Sequence, residues 1–396
     1  MQVALRFSSA LVQESYLANA LHHLEVQLAP QLRGTPPDLL LVFFSAHFAP
    51  QAETLLQELR GMFGARHVLG CSAEGIVGRG QEVERQPAIS VLVAHLPEVN
   101  LTPFLLEPQD WQPLLLPDGL RAHLNLPEDP ALFILLGDPF SCPADELLQA
   151  FNHDFPGVPV VGGMASAVMA PGRNALILDE HARYHGAVLL ALSGNLQVDC
   201  IVSQGCRPIG RPLTVTLAQQ NIVLQVENQP PLQLLQETID SLSPEEQRSL
   251  RNGLLVGRAI DPQQEQFGRG DFLIRALMGA DRESGALAIA DLLHNGDTIQ
   301  FHVRDAETAT EDLEMLLIPQ MFRGPVDGAL LFSCNGRGAR LFAKANQDVR
   351  TFHQSVGEHV PVAGFFCAGE IGPVHGRNFL HGHTVSAVLF RGKGSA

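Results

Sequence analysis

One loop of the chain combines residue types that could bind a small anion. It follows a short apolar run and consists of Cys334, Asn335, Gly336, Arg337 and Gly338. If this loop opens a helix, its unpaired backbone N–H groups can receive a carboxylate or phosphate, and Arg337 could clamp the same anion through two hydrogen bonds. The two glycines would let a ligand approach the backbone closely. The alternative is an ordinary Asn-Gly turn, with Arg337 in solvent.

A repeated spacing of cysteine and glutamate predicts where the other end of such a ligand could bind. Cys367 and Glu370, with Gly369 between them, lie in a Gly-rich segment, and Cys71 and Glu74 have the same spacing. The two glutamates could accept a ligand ammonium group while the first loop takes its carboxylate, which would suit a zwitterionic amino acid. The alternative is that the cysteines pack as small hydrophobic residues and the glutamates cap turns or stay on the surface.

The same residues permit an enzyme hypothesis. At a helix start, the Cys334 thiol would have a lowered pKa, as a nucleophile requires. Several histidines in this part of the chain could supply a base, namely His353, His375, His381 and His383. A cysteine-dependent hydrolase or amidase is therefore the second hypothesis, although no known Cys–His signature is visible.

The histidine spacings do not predict a metal site. His181 and His185 are four residues apart, and His381 and His383 form a short pair, but neither comes with the further ligands that zinc needs. We expect no required cofactor. Haem needs only one axial histidine in an apolar pocket, so a haem-binding gas sensor is the third hypothesis; the sequence contains no Cys-x-x-Cys-His for covalent attachment.

Arg207 lies in a distinctive phrase that predicts a fixed loop. The phrase runs from Gly205 through Cys206 to Pro208 and Gly210. A proline and glycines around an arginine favour a structural role, in which Arg207 ties two halves of the chain together through hydrogen bonds to carbonyls. Contact of Arg207 with a ligand is the alternative.

The elements that must position these residues form a repeated pattern. An apolar run, a tight polar loop and a helical pattern occur three times, and a Gly-rich segment and a closing strand follow each copy. In the third copy the helical pattern covers residues 340–352. Runs without strict alternation are typical of strands that are covered on both faces. The sequence therefore predicts an α/β fold of mixed β-sheets covered by helices, with duplicated strand–loop–helix units in two pseudo-related halves. The three runs begin at residues 39, 131 and 329.

Composition limits the class of partner. The chain has 396 residues, 45% of them hydrophobic and 17% charged, and its formal net charge is −16. A chain this acidic is a poor candidate for nucleic acid or an anionic membrane, because both need a basic surface. No apolar stretch reaches the length of a membrane span, and the N-terminus lacks the basic start and continuous apolar run of a signal peptide. Six cysteines without paired spacing suggest free thiols. We expect a cytoplasmic protein without membrane insertion.

Several short sequence motifs together resemble those of the FIST family, named for F-box and intracellular signal transduction proteins. They are residues 204–210, 215–216, 221, 230–232, 333–338 and 364–372. The resemblance covers about residues 38–390 and implies an N-terminal FIST domain over 30–210 and a C-terminal one over 211–392. It also implies a free-standing sensory protein, without an F-box, that binds a small ligand and signals to a downstream protein. Amino acids are among the ligands proposed for the family, and some members are similar proteins that bind haem. The leading hypothesis is a non-catalytic sensor of an amino acid or another small carboxylate.

Overall fold

A computed structural model describes residues 4–250 and 253–393, and these residues form two compact units. Unit 1 contains the chain up to Val202, then Glu314–Leu380, and the chain from Thr384 onward. Unit 2 contains Ser203–Leu313 and His381–His383. Unit 2 is thus a long insertion between two parts of unit 1. The division in space differs from the sequential division at residue 210, because a strand of unit 2 runs through that position and the chain afterwards returns to unit 1.

Unit 1 repeats one order of elements three times: strand, helical segment, strand, helix, strand, hairpin, strand. The first repeat is β1 (Arg6–Val12), α1 (Leu17–Leu32), β2 (Leu39–Ser45), α2 (Ala52–Phe63), β3 (His67–Ala73), β4 (Gly75–Gly78), β5 (Gln81–Glu84) and β6 (Ile89–His95). The second is β7 (Val99–Leu106), α3 (Trp111–Leu114), α4 (Gly119–Leu124), β8 (Leu132–Gly137), α5 (Ala144–Asp154), β9 (Val160–Met164), β10 (Leu176–Leu178), β11 (His181–Arg183) and β12 (Ala187–Gly194).

The third repeat is interrupted by unit 2 after its first strand, β13 (Gln197–Ser203). Unit 2 comprises β14 (Cys206–Gln219), β15 (Ile222–Val226), α6 (Pro231–Ser241), α7 (Pro244–Ser249), β16 (Leu254–Ala259), β17 (Phe272–Ala280), β18 (Leu287–Ile289) and β19 (Thr298–Arg304). The repeat resumes with α8 (Ala306–Leu317), which crosses the unit boundary, and continues with β20 (Gly328–Cys334), α9 (Gln347–Val356), β21 (Val362–Cys367), β22 (Glu370–Val374), β23 (Arg377–His381) and β24 (Val385–Arg391).

The three apolar runs form β2, β8 and β20, and each is buried along nearly its whole length. Each run pairs in parallel with the strand that follows its helix, namely β3, β9 and β21. The helix α2 buries Leu55, Leu56 and Leu59 along one face, as an amphipathic helix on a sheet should. Full burial of one such side chain contributes roughly 1.5–3 kcal/mol, so the runs hold each sheet in place.

A glycine at the same register position in each repeat shows that the repeats are equivalent. A Cβ at Gly70, Gly162 or Gly364 would lie 1.9, 2.0 or 1.8 Å from a carbonyl oxygen of the neighbouring parallel strand. No side chain fits at such a distance, so the backbone requires glycine at these three positions. The predicted strand–loop–helix units and the α/β class with mixed sheets are confirmed.

The hairpins join the three sheets of unit 1 in a cycle. The sheet orders are β1-β6-β2-β3-β10-β11, β23-β22-β9-β8-β12-β7 and β13-β24-β20-β21-β4-β5. The hairpin of each repeat therefore pairs with the sheet of another repeat: the first with the third, the second with the first, and the third with the second. Each hairpin follows the carboxyl end of a parallel strand and pairs in a different sheet. These carboxyl ends therefore lie at the junctions between sheets.

Unit 2 is built around a closed barrel. Its strands follow the order β14-β15-β18-β17-β16-β19, and closure leaves no free sheet edge in this barrel. The interior is apolar, with Val215, Val223, Leu287, Ile299 and Val303 fully buried. None of the described helices in either unit combines the length and apolar character that crossing a membrane requires.

Candidate functional site

The structure brings several of the predicted site residues together at the ends of the parallel strands of unit 1. Cys334 ends β20 in direct register with Cys367 at the end of β21, and the Asn335 N–H donates to the Cys367 carbonyl at 3.0 Å. Burial, and then the nearby Glu370, Cys71 and Cys334, raise the pKa of the Cys367 thiol. The predicted cysteines and Glu370 are therefore spatial neighbours although they come from the first and third repeats.

The two Cys-x-x-Glu sequences are not equivalent positions of the fold. Cys71 comes one residue after the close-contact glycine of its strand, Gly70, whereas Cys367 comes three residues after Gly364. The equal spacing is thus a coincidence of sequence. Both cysteines are fully buried, and burial raises the pKa of each thiol. A raised pKa keeps these two sulfur atoms protonated and unsuited to nucleophilic attack.

Arg337 does not line an open cleft, contrary to the expectation of an anion clamp. Its side chain is fully buried, and its Nε and Nη2 donate to the two Asp348 carboxylate oxygens, each at 2.7 Å. The Ser333 hydroxyl donates to the same carboxylate at 2.9 Å, and the guanidinium lies over the Phe342 ring. The bidentate partner predicted for a ligand is thus a carboxylate of the protein itself.

The helix expected over residues 340–352 begins later, at Gln347. The loop instead leads into a single short 3₁₀ turn, Gly338–Arg340. Asn346 has a φ of 63° and so cannot continue a right-handed helix; its Oδ1 accepts the Glu82 N–H at 2.7 Å. The helix-start argument for an anion therefore does not apply to residues 334–338.

Amides of the loop and of the residue that follows it have acceptors within the protein. The Gly336 N–H donates to the Cys334 sulfur at 3.3 Å, and the Ala339 N–H donates to a Glu84 carboxylate oxygen at 2.8 Å. Gly338 has a φ of 58°, and a Cβ there would lie 2.4 Å from that same Glu84 carboxylate. Gly338 is thus required by the close approach of an internal carboxylate rather than of a ligand.

A second acid, the partly buried Glu82, lies near Arg337 and the buried Asp348. Glu82 accepts the Val349 N–H at 2.8 Å, and Val349 follows Asp348 in α9. Burial first, and then the charge of Asp348, raise the pKa of Glu82 to about 8, and Arg337 offsets part of this effect. Arg337 is thus the positive charge near two carboxyl groups, and the raised pKa of Glu82 favours its protonated form at neutral pH.

Glu74 is a predicted ligand-binding residue whose charged group is partly exposed. Its carboxylate accepts two hydrogen bonds from Arg340, at 2.6 and 3.1 Å, and the Arg85 Nε lies 3.6 Å away. The side chains of Arg340 and Glu74 are 41% and 27% exposed. Arg340 also donates to the Asn335 carbonyl at 2.6 Å, and the hydrogen bond to Glu74 raises the pKa of its guanidinium. Arg340 was not expected from the sequence, because it lies 266 residues from Glu74.

Glu370 occupies a different environment from Glu74. It is fully buried at the start of β22, and its Oε2 accepts the Thr384 N–H at 3.2 Å. β22 pairs with β9, and the Gly369 carbonyl accepts the Met164 N–H. Gly369 and Glu370 therefore belong to the buried junction between the second and third repeats, and Glu370 does not face solvent beside Glu74.

Arg207 lies on β14 within unit 2. Its Nη1 is 3.4 Å from Glu246 Oε1, and its Nε is 3.8 Å from Asp305 Oδ2. Both partners are carboxylates of unit 2, whereas the sequence interpretation expected backbone carbonyls of another half. Arg207 thus joins β14 to the segments that precede and follow the barrel strands β16–β19.

Among the residues that the structure describes, one group has metal-ligating atoms close together: Asp118, His153 and Asp154. The Asp154 carboxylate already accepts the backbone N–H groups of Asp118 and Arg121, each at 3.0 Å, and the His153 ring lies 2.7 Å from it. This carboxylate therefore connects α4 to the end of α5, and its oxygens are occupied by that role.

Glu74 and Arg340 form a partly exposed pair of opposite charges, between residues of the first and third repeats. Comparison with known families gives the class of protein: the FIST N domain family matches residues 38–229, and the FIST C domain family matches residues 231–373. The chain belongs to the FIST family. FIST domains are generally sensory, ligand-binding domains of signal transduction.

Relatives in mycobacteria are similar to nearly the whole chain. An uncharacterized protein of Mycobacterium tuberculosis is 37% identical over 392 residues, which is 98% of this chain and 100% of the relative. An uncharacterized protein of Mycobacterium bovis is 38% identical over 366 residues, 92% of this chain and 93% of its own length. A chorismatase crystal structure aligns with 99% of this chain and 100% of that one, at a TM-score of 0.34 and 8% identity, too distant to support an argument.

Proposed function

We propose that this protein is a non-catalytic sensor that binds a small zwitterionic ligand, an amino acid, at the pair formed by Glu74 and Arg340. The observation that carries the proposal is this half-exposed pair of opposite charges at the end of β3. The predicted residues Cys334 and Asn335 adjoin it, and Cys367 and Cys71 lie in the strands beneath. This assignment replaces Arg337 by Arg340 as the group that receives the ligand carboxylate.

The pair can exchange its internal bond for bonds to a ligand. An exposed ion pair is typically worth only about 0.2–1 kcal/mol, and a bidentate, partly buried pair such as this one is worth more, so a ligand must replace both hydrogen bonds to separate Glu74 from Arg340. The ligand ammonium would then bind Glu74, and its carboxylate would bind the planar guanidinium of Arg340 in bidentate geometry. The Asn335 carbonyl holds one Arg340 nitrogen, and the Ser166 hydroxyl holds the Glu74 N–H at 3.0 Å. Both charged groups are therefore oriented before the ligand arrives.

A ligand at this position would act on a junction between sheets. β4 begins one residue after Glu74 and pairs with β21 of the third repeat. Binding between Glu74 and Arg340 would therefore bias the contact between the first and third repeats, which gives a route from ligand to conformation. We propose that a downstream signalling protein in the cytoplasm reads this change, and that neither nucleic acid nor membrane is the partner.

Calorimetric titration with the amino acids, followed by the deaminated and decarboxylated analogues of the best binder, tests the proposal. Glu74→Gln should weaken the amino acid and the amine roughly 10- to 100-fold and spare the simple carboxylate, since only the ammonium needs a negative partner. Arg340→Gln should weaken the amino acid and the carboxylate and spare the amine.

The matched control is Arg60→Gln, which removes one charge from another exposed ion pair, with Glu180 at 3.0 Å. It should leave all affinities unchanged. If Glu74→Gln and Arg340→Gln bind every ligand as the unmodified protein does, the site is not at this pair.

A further inference from the structure

One concave surface of unit 1 is lined by arginine and histidine side chains. It is a groove of about 670 Å³ between the tip of the β4–β5 hairpin, α9 and the loop after α9. The basic side chains are Arg79, Arg350, His353 and His359, and Glu358 is the acidic one among the lining residues. A basic groove is unexpected on a chain whose formal net charge is −16. Its volume lies within the range of about 300–1,000 Å³ that is usual for small-molecule pockets.

The hairpin tip is shaped to present Arg79. Gly78 pairs with Gln81, so the turn has two residues, Arg79 and Gly80, with φ values of 45° and 74°. Two consecutive positive φ values define the tight turn that matches the twist of a hairpin, and they cost an arginine more than they cost a glycine. Arg79 is exposed, so neither the turn nor burial accounts for an arginine at this position.

α9 contributes the opposite wall. Arg350 and His353 are three residues apart and so lie on one face of the helix. A Cβ at Gly80 would lie 3.5 Å from His353 Nδ1, so the hairpin tip and the helix are in close proximity. His353 Nε2 lies 3.2 Å from the Val360 carbonyl and donates to it, which leaves Nδ1 toward the groove.

The two guanidinium groups of the groove are not neutralised by the protein. Arg79 donates to the neutral side-chain amide of Gln27 at 3.0 Å. Within residues 4–250 and 253–393, neither Arg79 nor Arg350 has a carboxylate within ion-pair distance. Arg337 and Arg340, in contrast, each have a bidentate carboxylate partner. Unneutralised arginines that converge on a concave surface attract anions and can bind their oxygens in bidentate geometry.

We infer that this groove is a binding site for a small polyanionic metabolite, whose phosphate or carboxylate oxygens contact Arg79 and Arg350 while its body lies against Val360 and Pro361. The site shares no residue with the Glu74–Arg340 pair, and the inference stands whether or not that pair binds an amino acid. The two sites are nevertheless carried by one hairpin: Glu74 and Arg85 flank its base, and Arg79 forms its tip.

His353 gives the site a pH dependence. Burial lowers the pKa of His353, so the ring is neutral at rest. The charged or titratable groups that line the groove with it are Arg79, Arg350, Glu358 and His359. A bound anion adds negative charge beside the ring and raises its pKa, so binding takes up a proton and strengthens as the pH falls.

Titration of the full-length protein with inorganic phosphate and with citrate tests the inference, with sodium chloride at equal ionic strength as the control. Calorimetry should detect binding of at least one of the two at or below about 10 mM, tighter at pH 6 than at pH 8. Binding of phosphate alone identifies a phosphate-bearing ligand, and binding of citrate alone identifies a polycarboxylate.

Two variants locate the site. Arg350→Gln should weaken the binding anion about 10- to 100-fold, and Arg79→Asn, which suits the left-handed turn, should do the same. The control Arg173→Gln removes one exposed arginine that does not line the groove and should change nothing. The melting temperature without anion should stay the same in all three variants, because none of these side chains is buried. Absence of binding by both anions, or equal loss in the control, overturns the inference.

Discussion

Arg337→Ala should destabilise unit 1 strongly and have little direct effect on ligand affinity. The guanidinium is fully buried and bonded twice to Asp348, which is 1% exposed. Removal of Arg337 leaves the Asp348 carboxylate buried without its counter-charge, close to a second acid, Glu82. Breaking a buried pair from one side typically costs about 3–5 kcal/mol. For a unit of roughly 280 residues, this loss corresponds to a fall in melting temperature of about 5–8 °C.

A double-mutant cycle separates the ion pair from the packing of its side chains. Arg337→Met together with Asp348→Leu removes both charges and keeps most of the volume, so the double variant should recover much of the stability lost in either single variant. Thermal unfolding followed by circular dichroism measures all four proteins.

The pH dependence provides a second check on the same variant. Without Arg337, Asp348 and Glu82 repel each other more, so the loss of stability should grow as the pH rises from 5 to 8 and more of the pair ionises. If the melting temperature of Arg337→Ala falls by less than about 1 °C and ligand affinity is clearly lost, the structural role is refuted and Arg337 is a ligand-binding residue.

The remaining predictions concern the carboxyl pair, the repeat glycines and the thiols. The pKa of Glu82 is about 8 in the folded protein, against an ordinary glutamate value of 4.5. Its contribution to the free energy of unfolding is therefore fully present below pH 4.5 and is lost as the pH rises through 8. Glu82→Gln should flatten this decline and raise the free energy of unfolding at pH 8 by roughly 2–4 kcal/mol in denaturant titrations. Gly364→Ala should prevent folding or lower the melting temperature by many degrees, because its Cβ would lie 1.8 Å from the Leu331 carbonyl oxygen, and a soluble variant with an unchanged melting curve would contradict the register. Brief alkylation followed by peptide mapping should label Cys334 before Cys200, since burial raises the pKa of Cys200 to about 12; equal labelling would count against the description of the strand ends.

The local elements of unit 1 could be predicted from the sequence for a physical reason. A run such as residues 39–44 has no polar side chain to place in water, so only a strand covered on both faces accommodates it. In each of the three repeats, the strand that follows the helix requires a glycine where its backbone contacts a carbonyl oxygen of the neighbouring parallel strand. The insertion of unit 2 was harder to predict. The strands on either side of it, β13 and β20, are far apart in the sequence, and they share a sheet only because β24 lies between them and pairs with both.

The partners of the charged residues could not be predicted in the same way. The sequence singled out Arg337 as a ligand clamp and gave no indication of Arg340, although Arg337 lies in the loop and Arg340 comes two residues after its end. Asp348, in α9, accepts hydrogen bonds from Arg337. Glu74, 266 residues away in the sequence, accepts them from Arg340. Glu84 reaches the loop amide of Ala339 across 255 residues.

Composition, periodicity and the three runs by themselves determined that the chain forms α/β units with buried strands, and the FIST phrases determined the family. Only the tertiary structure decided which charges are neutralised internally, as in the pairs Arg337–Asp348 and Arg340–Glu74, and which have no carboxylate partner among the described residues, as at Arg79 and Arg350 in the groove. The physical reason is the range of the interactions. Burial of an apolar run depends on its own residues, whereas a hydrogen bond or ion pair forms only when two groups come within about 3–4 Å, and the exchange of hairpins between repeats sets those distances.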